Sequence, residues 1–172
     1  MTLEIALDTD EEWDSSDGTP FDWRSLVRKA AEAAIAESAF PELARSDRPV
    51  EISVALSGNE QVRALNSKWR GKDKPTNVLS FPMADERDLG IANLSGSELL
   101  LGDIVLARGV CEAEAIEKGV SFQDHAVHLL VHGTLHLLGY DHHDDRDAAD
   151  MEAREVRALA RLGIANPYEV TA

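Results

Sequence analysis

The sequence contains a single cysteine, Cys111, so it cannot form an intramolecular disulfide bond. One thiol is typical of a reducing compartment, and we expect this side chain to be a small buried hydrophobe instead of a catalytic nucleophile. The N-terminus lacks the basic region and apolar run of a secretory signal. No segment approaches the roughly 18 uncharged apolar residues of a membrane span. These absences predict a cytoplasmic protein that is not embedded in a membrane.

The composition is that of a folded protein. Of 172 residues, 44% are hydrophobic and 28% are charged, whereas disordered chains have too few apolar residues to offset the entropy lost on ordering. This length fits one domain with one hydrophobic core. We therefore predict a single domain over residues 1–172.

Negative charge dominates the sequence but is unevenly distributed. The formal net charge is −15 at pH 7, and residues 8–17 hold six acids and no base. Residues 61–74, called here the basic segment, carry five bases against Asp73 alone: Arg63, Lys68, Arg70, Lys72 and Lys74. Because the overall field repels a polyanion, any site for an anion is expected in this segment. The alternative is a solvated helix face, which is the better interpretation for its outer members.

Hydrophobic periodicity predicts early strands and late helices. Strands are predicted at 3–8, at 50–56, from about residue 77, and at 99–107, where the apolar run indicates an interior strand. Helices are predicted at 21–40 (capped by Asp22 and ended by Pro41), 59–69, 108–118, 123–138 and 144–162, with a polar loop at 84–98. This order favours an α+β fold with one sheet of about four strands packed against a layer of helices.

Three histidines lie in the stretch HGTLHLLGYDH at residues 132–142. His132 and His136 are four residues apart, so on a helix they project from the same face one turn apart. Gly139 is placed to end the helix in a left-handed turn, which brings His142 back toward the other two. Three imidazoles and a water complete the tetrahedral coordination of a catalytic zinc ion. We therefore predict one Zn²⁺ per chain, with His132, His136 and His142 as its ligands.

Several neighbouring polar residues have competing interpretations. His143 is an alternative third ligand, but the distance from Gly139 favours His142. Hydrogen bonds that orient a ligand histidine are expected from three further residues: Asp103, His128 and Asp141. The alternatives are ordinary structural roles: local pairing for Asp103, a satisfied buried side chain for His128 and a helix cap for Asp141.

The residue after the first histidine separates this pattern from helical metalloprotease motifs. Those motifs place a glutamate there as the general base of peptide hydrolysis, whereas this chain has Gly133. A zinc metalloprotease-like hydrolase is therefore kept only as an alternative function.

Together with WRGKDKPTNVLSFP at 69–82 and LGDIVLA at 101–107, the histidine stretch resembles the YbeY family of bacterial rRNA maturation factors. The three blocks occur in the family's order, and the resemblance covers the chain from about residue 50 onward. It implies a cytoplasmic, metal-dependent endoribonuclease specific for single strands. Such an enzyme processes the ends of small-subunit rRNA and acts in ribosome quality control. Its implied partners are single-stranded RNA, rRNA, the small ribosomal subunit with its proteins, and an assembly GTPase.

The resemblance also implies roles for particular residues. The family's zinc ligands fall on His132, His136 and His142, and its important arginine falls on Arg70. We interpret Arg70 as the catalytic residue, whose planar guanidinium clamps a phosphate and offsets charge in the transition state. Substrate binding is predicted for the rest of the basic segment: Arg63, Lys68, Lys72 and Lys74. A second alternative is a non-catalytic, zinc-containing ribosome-assembly factor, although structural zinc sites are usually closed by four protein ligands.

Overall fold

The computed structural model describes residues 3–13, 22–45, 48–90 and 98–168. Within these residues the centre is a four-stranded sheet of β1 (Leu3–Thr9), β2 (Val50–Ser57), β3 (Val78–Pro82) and β4 (Leu99–Ala107). The strand order is β1-β2-β4-β3. Strands β1, β2 and β4 are parallel to one another, and β3 pairs antiparallel with β4 at one edge of the sheet. The predicted α+β fold is confirmed, and β4 is interior, as its apolar run predicted.

Six helices surround the sheet in the described part of the chain. They are α1 (Trp23–Ala36), α2 (Asn59–Arg70), α3 (Glu86–Gly90), α4 (Arg108–Lys118), α5 (Phe122–Leu137) and α6 (Asp145–Arg161). None of these described helices combines the length and the apolar character needed to cross a bilayer. Short 3₁₀ turns at Glu11–Trp13 and Pro41–Arg45 complete the regular structure.

Alternation along the strands gives the sheet two different faces. In β2, Val50, Ile52, Val54 and Leu56 are buried while the residues between them are partly exposed. The buried side joins the main hydrophobic core together with α1 and α5. On the opposite side α2 covers only part of the sheet, where its Val62 packs in a smaller cluster with residues of β3 and β4. The helical layer that contains α1 and α5 therefore covers its face of the sheet more fully than α2 covers the other face.

Helix α5 is the central element because α1, α4, α6 and two strands pack around it. Ser121 caps its N-terminus by accepting a hydrogen bond from the Asp124 amide. Near its other end, Gly133 faces the sheet so closely that a Cβ there would lie 3.1 Å from a methyl carbon of Ile104. The missing side chain lets α5 lie against β4, and this contact positions the histidines that flank Gly133.

The predicted end of the first helix is wrong. Asp22 caps α1 as predicted, through a bond from the Ser25 amide, but the helix ends at Ala36 and not at Pro41. The reason is Ser38, whose hydroxyl donates to the Ile35 carbonyl and accepts from the Phe40 amide, replacing the next helical turn.

The predicted polar loop at 84–98 contains the short helix α3. Its first turn is fixed by reciprocal bonds in which Asp85 and Asp88 each accept from the amide of the other. Residues 91–97 of that loop, and residues 14–21 of the acidic segment and the start of the first predicted helix, lie outside the described residues.

Candidate metal site and adjoining basic cleft

His132 and His136 stand one turn apart on α5 and face each other. Their Nε2 atoms are 3.0 Å apart, and their ring centroids are 4.5 Å apart at nearly a right angle. Both rings are partly buried.

Each of these rings is held by an acceptor at its other nitrogen. The Nδ1 of His132 lies 3.1 Å from a carboxylate oxygen of Glu155, and the Nδ1 of His136 lies 2.8 Å from the Tyr140 carbonyl. A carbonyl and a carboxylate only accept, so both Nδ1 atoms carry the hydrogen and both Nε2 atoms present lone pairs.

Two lone pairs that meet at 3.0 Å repel each other unless a cation lies between them. Nitrogen ligands of a tetrahedral zinc ion lie about 3.3 Å apart, since each Zn–N bond is about 2.0–2.1 Å. The donor set of His132 and His136 therefore fits a zinc ion.

A left-handed turn after α5 brings in the third histidine. Gly139 has φ +97°, a backbone conformation that residues other than glycine rarely adopt. The backbone amide of Tyr140 then donates a hydrogen bond to the Leu135 carbonyl. The His142 ring consequently lies 5.2 Å from the ring of His136, centroid to centroid. Ligand atoms of all three histidines lie within 4.8 Å of one another. The structure thus brings together His132, His136 and His142.

The neighbouring histidine lies outside this group. The side chain of His143 is 79% exposed, and its Nε2 is 3.1 Å from the Asp141 carboxylate. Asp141 also accepts from the backbone amide of His142 at 2.8 Å. This bond lowers the pKa of the Asp141 carboxyl, which is therefore ionised at the edge of the site. Asp141 thus fixes the backbone that carries the third histidine, and its Oδ1 lies 3.9 Å from the Nδ1 of the His142 ring.

Glu155 is a residue of the candidate site that the sequence pattern does not predict. It lies on α6 and is only 1% exposed. Its carboxylate is within hydrogen-bond distance of His132 Nδ1 (3.1 Å), His128 Nε2 (2.9 Å) and the Tyr168 hydroxyl (3.0 Å). The available signal was a glutamate on the apolar stripe of α6, between the buried Met151 and Leu159.

Burial and hydrogen bonding have opposing effects on the protonation of Glu155. Burial acts to raise the pKa of Glu155, but hydrogen bonds from His128 and His132 outweigh it and bring the pKa to about 2. Burial, reinforced by the neighbouring His132, lowers the pKa of His136 to about 4. Near neutral pH the site therefore contains a carboxylate behind His132 and a neutral imidazole at His136, and a metal ligand must be neutral.

The structure shows where two of the residues predicted to orient a ligand histidine lie. His128 acts on His132 only through Glu155, which lies between them. Asp103 is wrong as a partner of a ligand histidine. Strand alternation turns its side chain away from α5, while its neighbour Ile104 contacts Gly133. Asp103 instead lines a groove on the opposite face of the sheet.

The histidines line one wall of a cleft of about 620 Å³. The edge strand β3 and the end of the basic segment form the other wall, which contributes Arg70, Lys72 and Lys74. The Nη2 of Arg70 donates to the Ser80 carbonyl at 3.0 Å, which ties the exposed side chain to β3. A guanidinium has five N–H donors, so this anchor leaves others for a ligand in the cleft.

The remaining predicted substrate-binding residues lie elsewhere. Arg63 forms a two-point ion pair with Asp73, at 2.9 and 3.2 Å, and also approaches Glu60. Lys68 lies against the ring of Trp69. The structure thus divides the basic segment into three cleft residues and two residues outside the cleft.

Cys111 is buried, as predicted. Burial raises the pKa of its thiol to about 12, so it stays protonated and unreactive near neutral pH.

Comparison with known proteins assigns this geometry to a family. Residues 9–163 match the model of the family described as endoribonuclease YbeY. The chain belongs to the YbeY family. A curated relative from Rhizorhabdus wittichii, named endoribonuclease YbeY, is 49% identical over 170 residues, which are 98% of each chain. A relative of the same name from Sphingopyxis alaskensis is 56% identical over 149 residues, covering 86% of this chain and 88% of the relative.

A solved structure shows the same fold. The solution structure of a Thermotoga maritima protein superposes with a TM-score of 0.51 over 97% of this chain and 100% of the other, at 20% sequence identity. The resemblance to the YbeY family predicted from the three sequence blocks is confirmed.

Proposed function

We propose that this YbeY family member is a zinc-dependent endoribonuclease that cleaves single-stranded RNA during rRNA maturation. The observation that carries the proposal is the cleft itself, where three histidine donors face an arginine anchored on β3. A metal site and a phosphate clamp that share one cavity suit hydrolysis of a phosphodiester.

The protein's own groups prepare the metal side of the cleft. Glu155 and the Tyr140 carbonyl fix the hydrogens of His132 and His136 on Nδ1, so that Nε2 of each ring is the donor. His142 is the proposed third ligand, and its side chain is 55% exposed. A zinc ion held by these residues would supply Lewis-acid chemistry that lowers the pKa of a water molecule and polarises a phosphoryl oxygen.

On the other side of the cleft, Arg70 binds and orients the phosphate. Its planar fork makes two parallel hydrogen bonds to phosphate oxygens and stabilises the charge that develops on them. Lys72 and Lys74 add positive charge at the same wall. In a chain of net charge −15, this wall attracts RNA while most of the surface repels it.

The geometry also argues against peptide hydrolysis. In helical metalloproteases the general base directly follows the first histidine, but here Gly133 points into the core and lies against Ile104. A glutamate at that position would be buried in the sheet contact and could not reach a substrate in the cleft.

A cleavage assay with two variants tests the proposal. Zinc-loaded protein is incubated with end-labelled single-stranded RNA, duplex RNA and casein. We expect cleavage of the single strand only. Arg70→Ala should reduce the rate about 100- to 1,000-fold, the range for removing one transition-state donor, with metal content and Tm unchanged. Arg87→Ala on α3 removes an exposed positive charge elsewhere and should cleave at the wild-type rate.

Two results would contradict the proposal. Casein cleavage without RNA cleavage would favour the peptidase alternative. Cofractionation with small ribosomal subunits, without cleavage by the purified protein, would favour a non-catalytic assembly factor. We further propose a cytoplasmic location and association with the small ribosomal subunit, its proteins and an assembly GTPase, on family resemblance alone.

A further inference from the structure

Trp69 is an exposed aromatic side chain in the last turn of α2. Its exposed fraction is 63%, whereas the other two tryptophans of the chain, Trp13 and Trp23, are buried. One exposed ring needs no explanation by itself, so its surroundings decide whether it has a role.

The charges around this ring indicate what kind of ligand fits. The Lys68 ammonium lies 5.1 Å from the ring centroid, and Arg70 is the next residue along the chain. Both belong to the basic segment of a protein whose net charge is −15. An aromatic face beside positive charge is the arrangement that binds single-stranded nucleic acid, because bases stack on the ring and phosphates pair with the cations.

The position of Trp69 connects this ring to the cleft. Together with Leu65 of α2 and Phe81 of β3, it lines a largely apolar groove of about 850 Å³ on the partly covered face of the sheet. The edge strand β3 separates groove from cleft, since Ser80 lines the cleft and Phe81 the groove.

Arg70 spans this boundary. Its guanidinium donates to the Ser80 carbonyl, and its Cζ lies 5.7 Å from the centre of the Phe81 ring. Because Trp69 directly precedes Arg70 and shares the groove with Phe81, a polynucleotide with one phosphate at Arg70 passes beside the residue that carries the exposed ring.

We propose that Trp69 is a stacking platform for an unpaired nucleobase next to the phosphate bound by Arg70. This inference rests on the proposed ribonuclease function and adds a base-binding subsite to it. A base paired within a duplex has both faces covered by its neighbours, so only a single strand can offer a base to the ring. The subsite is thus a physical source of preference for single-stranded substrate.

Intrinsic fluorescence tests the proposal directly, because Trp69 is the exposed tryptophan of the three. Zinc-loaded protein is titrated with a short single-stranded oligoribonucleotide bearing phosphorothioate linkages, whose integrity is checked after each titration. The same titration uses an abasic oligomer with equal charge. We expect the intact oligomer to quench tryptophan emission and the abasic one to leave it nearly unchanged.

Affinities of variants complete the test. Trp69→Ala should weaken binding of the intact oligomer about 5- to 150-fold, the range for one stacked base, and leave binding of the abasic oligomer unchanged. Trp69→Phe should retain most of the affinity. Ile116→Ala on α4 removes an apolar side chain that is 75% exposed and lines neither cavity, and it should bind as the wild type does.

The outcomes separate this inference from the function on which it rests. Equal affinities of Trp69→Ala and wild type for the intact oligomer, with binding still weakened by Arg70→Ala, would overturn the stacking subsite and leave the nuclease proposal standing. A wild-type protein that neither binds nor cleaves the single strand would overturn both.

Discussion

The two walls of the cleft are built in opposite ways. On the histidine wall, two of the three rings are partly buried and each is fixed at Nδ1 by an acceptor, one of them the buried Glu155. On the basic wall, Arg70, Lys72 and Lys74 are exposed, and Arg70 is tied to β3 by a single backbone carbonyl. Two rings of the first wall are fixed by hydrogen-bond partners, whereas the second wall is a solvent-exposed surface.

This difference matches what each wall is proposed to bind. A metal ion requires donor atoms within a few tenths of an ångström and neutral imidazoles, so its ligands need buried partners. A phosphate chain is attracted over several ångströms by charge alone, so long solvated side chains are sufficient. Removal of a histidine ligand should therefore have a larger effect than removal of a lysine from the basic wall.

The largest effect is expected from removing a histidine of the triad. His136→Ala should abolish zinc retention and cleavage, because two remaining imidazoles leave the site with too few ligands. Elemental analysis of the purified protein measures this. His143→Ala, which removes an exposed histidine outside the group, should keep full zinc content. The reverse pattern, with zinc lost only in the His143 variant, would exclude the ligand assignment.

A smaller effect is expected from Glu155→Gln. The amide keeps the shape of the side chain but loses the charge that holds His132, so zinc affinity should fall about 10- to 100-fold. Competition with a chelating dye gives the affinity. Glu152→Gln, an exposed change on the same helix, is the control. Identical affinities of the two variants would show that the buried carboxylate does not position the ligand.

The buried state of His136 should also make the metal-free protein sensitive to acid. Its folded pKa of about 4 lies below the ordinary value of 6.5, so the unfolded chain takes up the proton first. Stability from this residue is complete above about pH 6.5 and is lost as the pH falls toward 4. The expected loss is on the order of a few kcal/mol at most. Calorimetric Tm values against pH should therefore fall less steeply in His136→Gln than in wild type across this window, and parallel curves would contradict the assignment.

The smallest effects are expected from the lysines of the basic wall. Lys72→Ala should weaken RNA binding modestly and reduce the slope of log affinity against log salt by about 0.7, the value for one phosphate contact on a single strand. Arg63→Ala should change the slope less, because Asp73 already neutralises Arg63. Fluorescence anisotropy at several salt concentrations gives both slopes. A larger change in slope for Arg63→Ala than for Lys72→Ala would contradict the placement of Lys72 inside the cleft and Arg63 outside it.

Local features of the chain were predictable because their causes are local. Spacing along one helix placed His132 and His136 on the same face, and the glycine after the helix explained the return of His142. The apolar run of β4 likewise predicted an interior strand. In each case a few neighbouring residues determine the geometry.

Features that depend on packing between distant segments were not predictable in this way. Glu155 reaches His132 across 23 positions of sequence, and no pattern within either segment specifies that α5 and α6 meet there. Asp103 was assigned to the wrong side of the sheet, because the pattern of a strand shows which residues alternate but not which face meets the histidines. The Arg63 ion pair with Asp73 depends on how the loop after α2 folds back.

Three imidazoles and one exchangeable ligand are proposed to surround a single zinc ion. X-ray absorption at the zinc edge on the metal-loaded wild-type protein measures this coordination directly. We expect three imidazole nitrogens at about 2.0–2.1 Å and one oxygen ligand. A first shell with two imidazoles, or one closed by a fourth protein side chain, would contradict it.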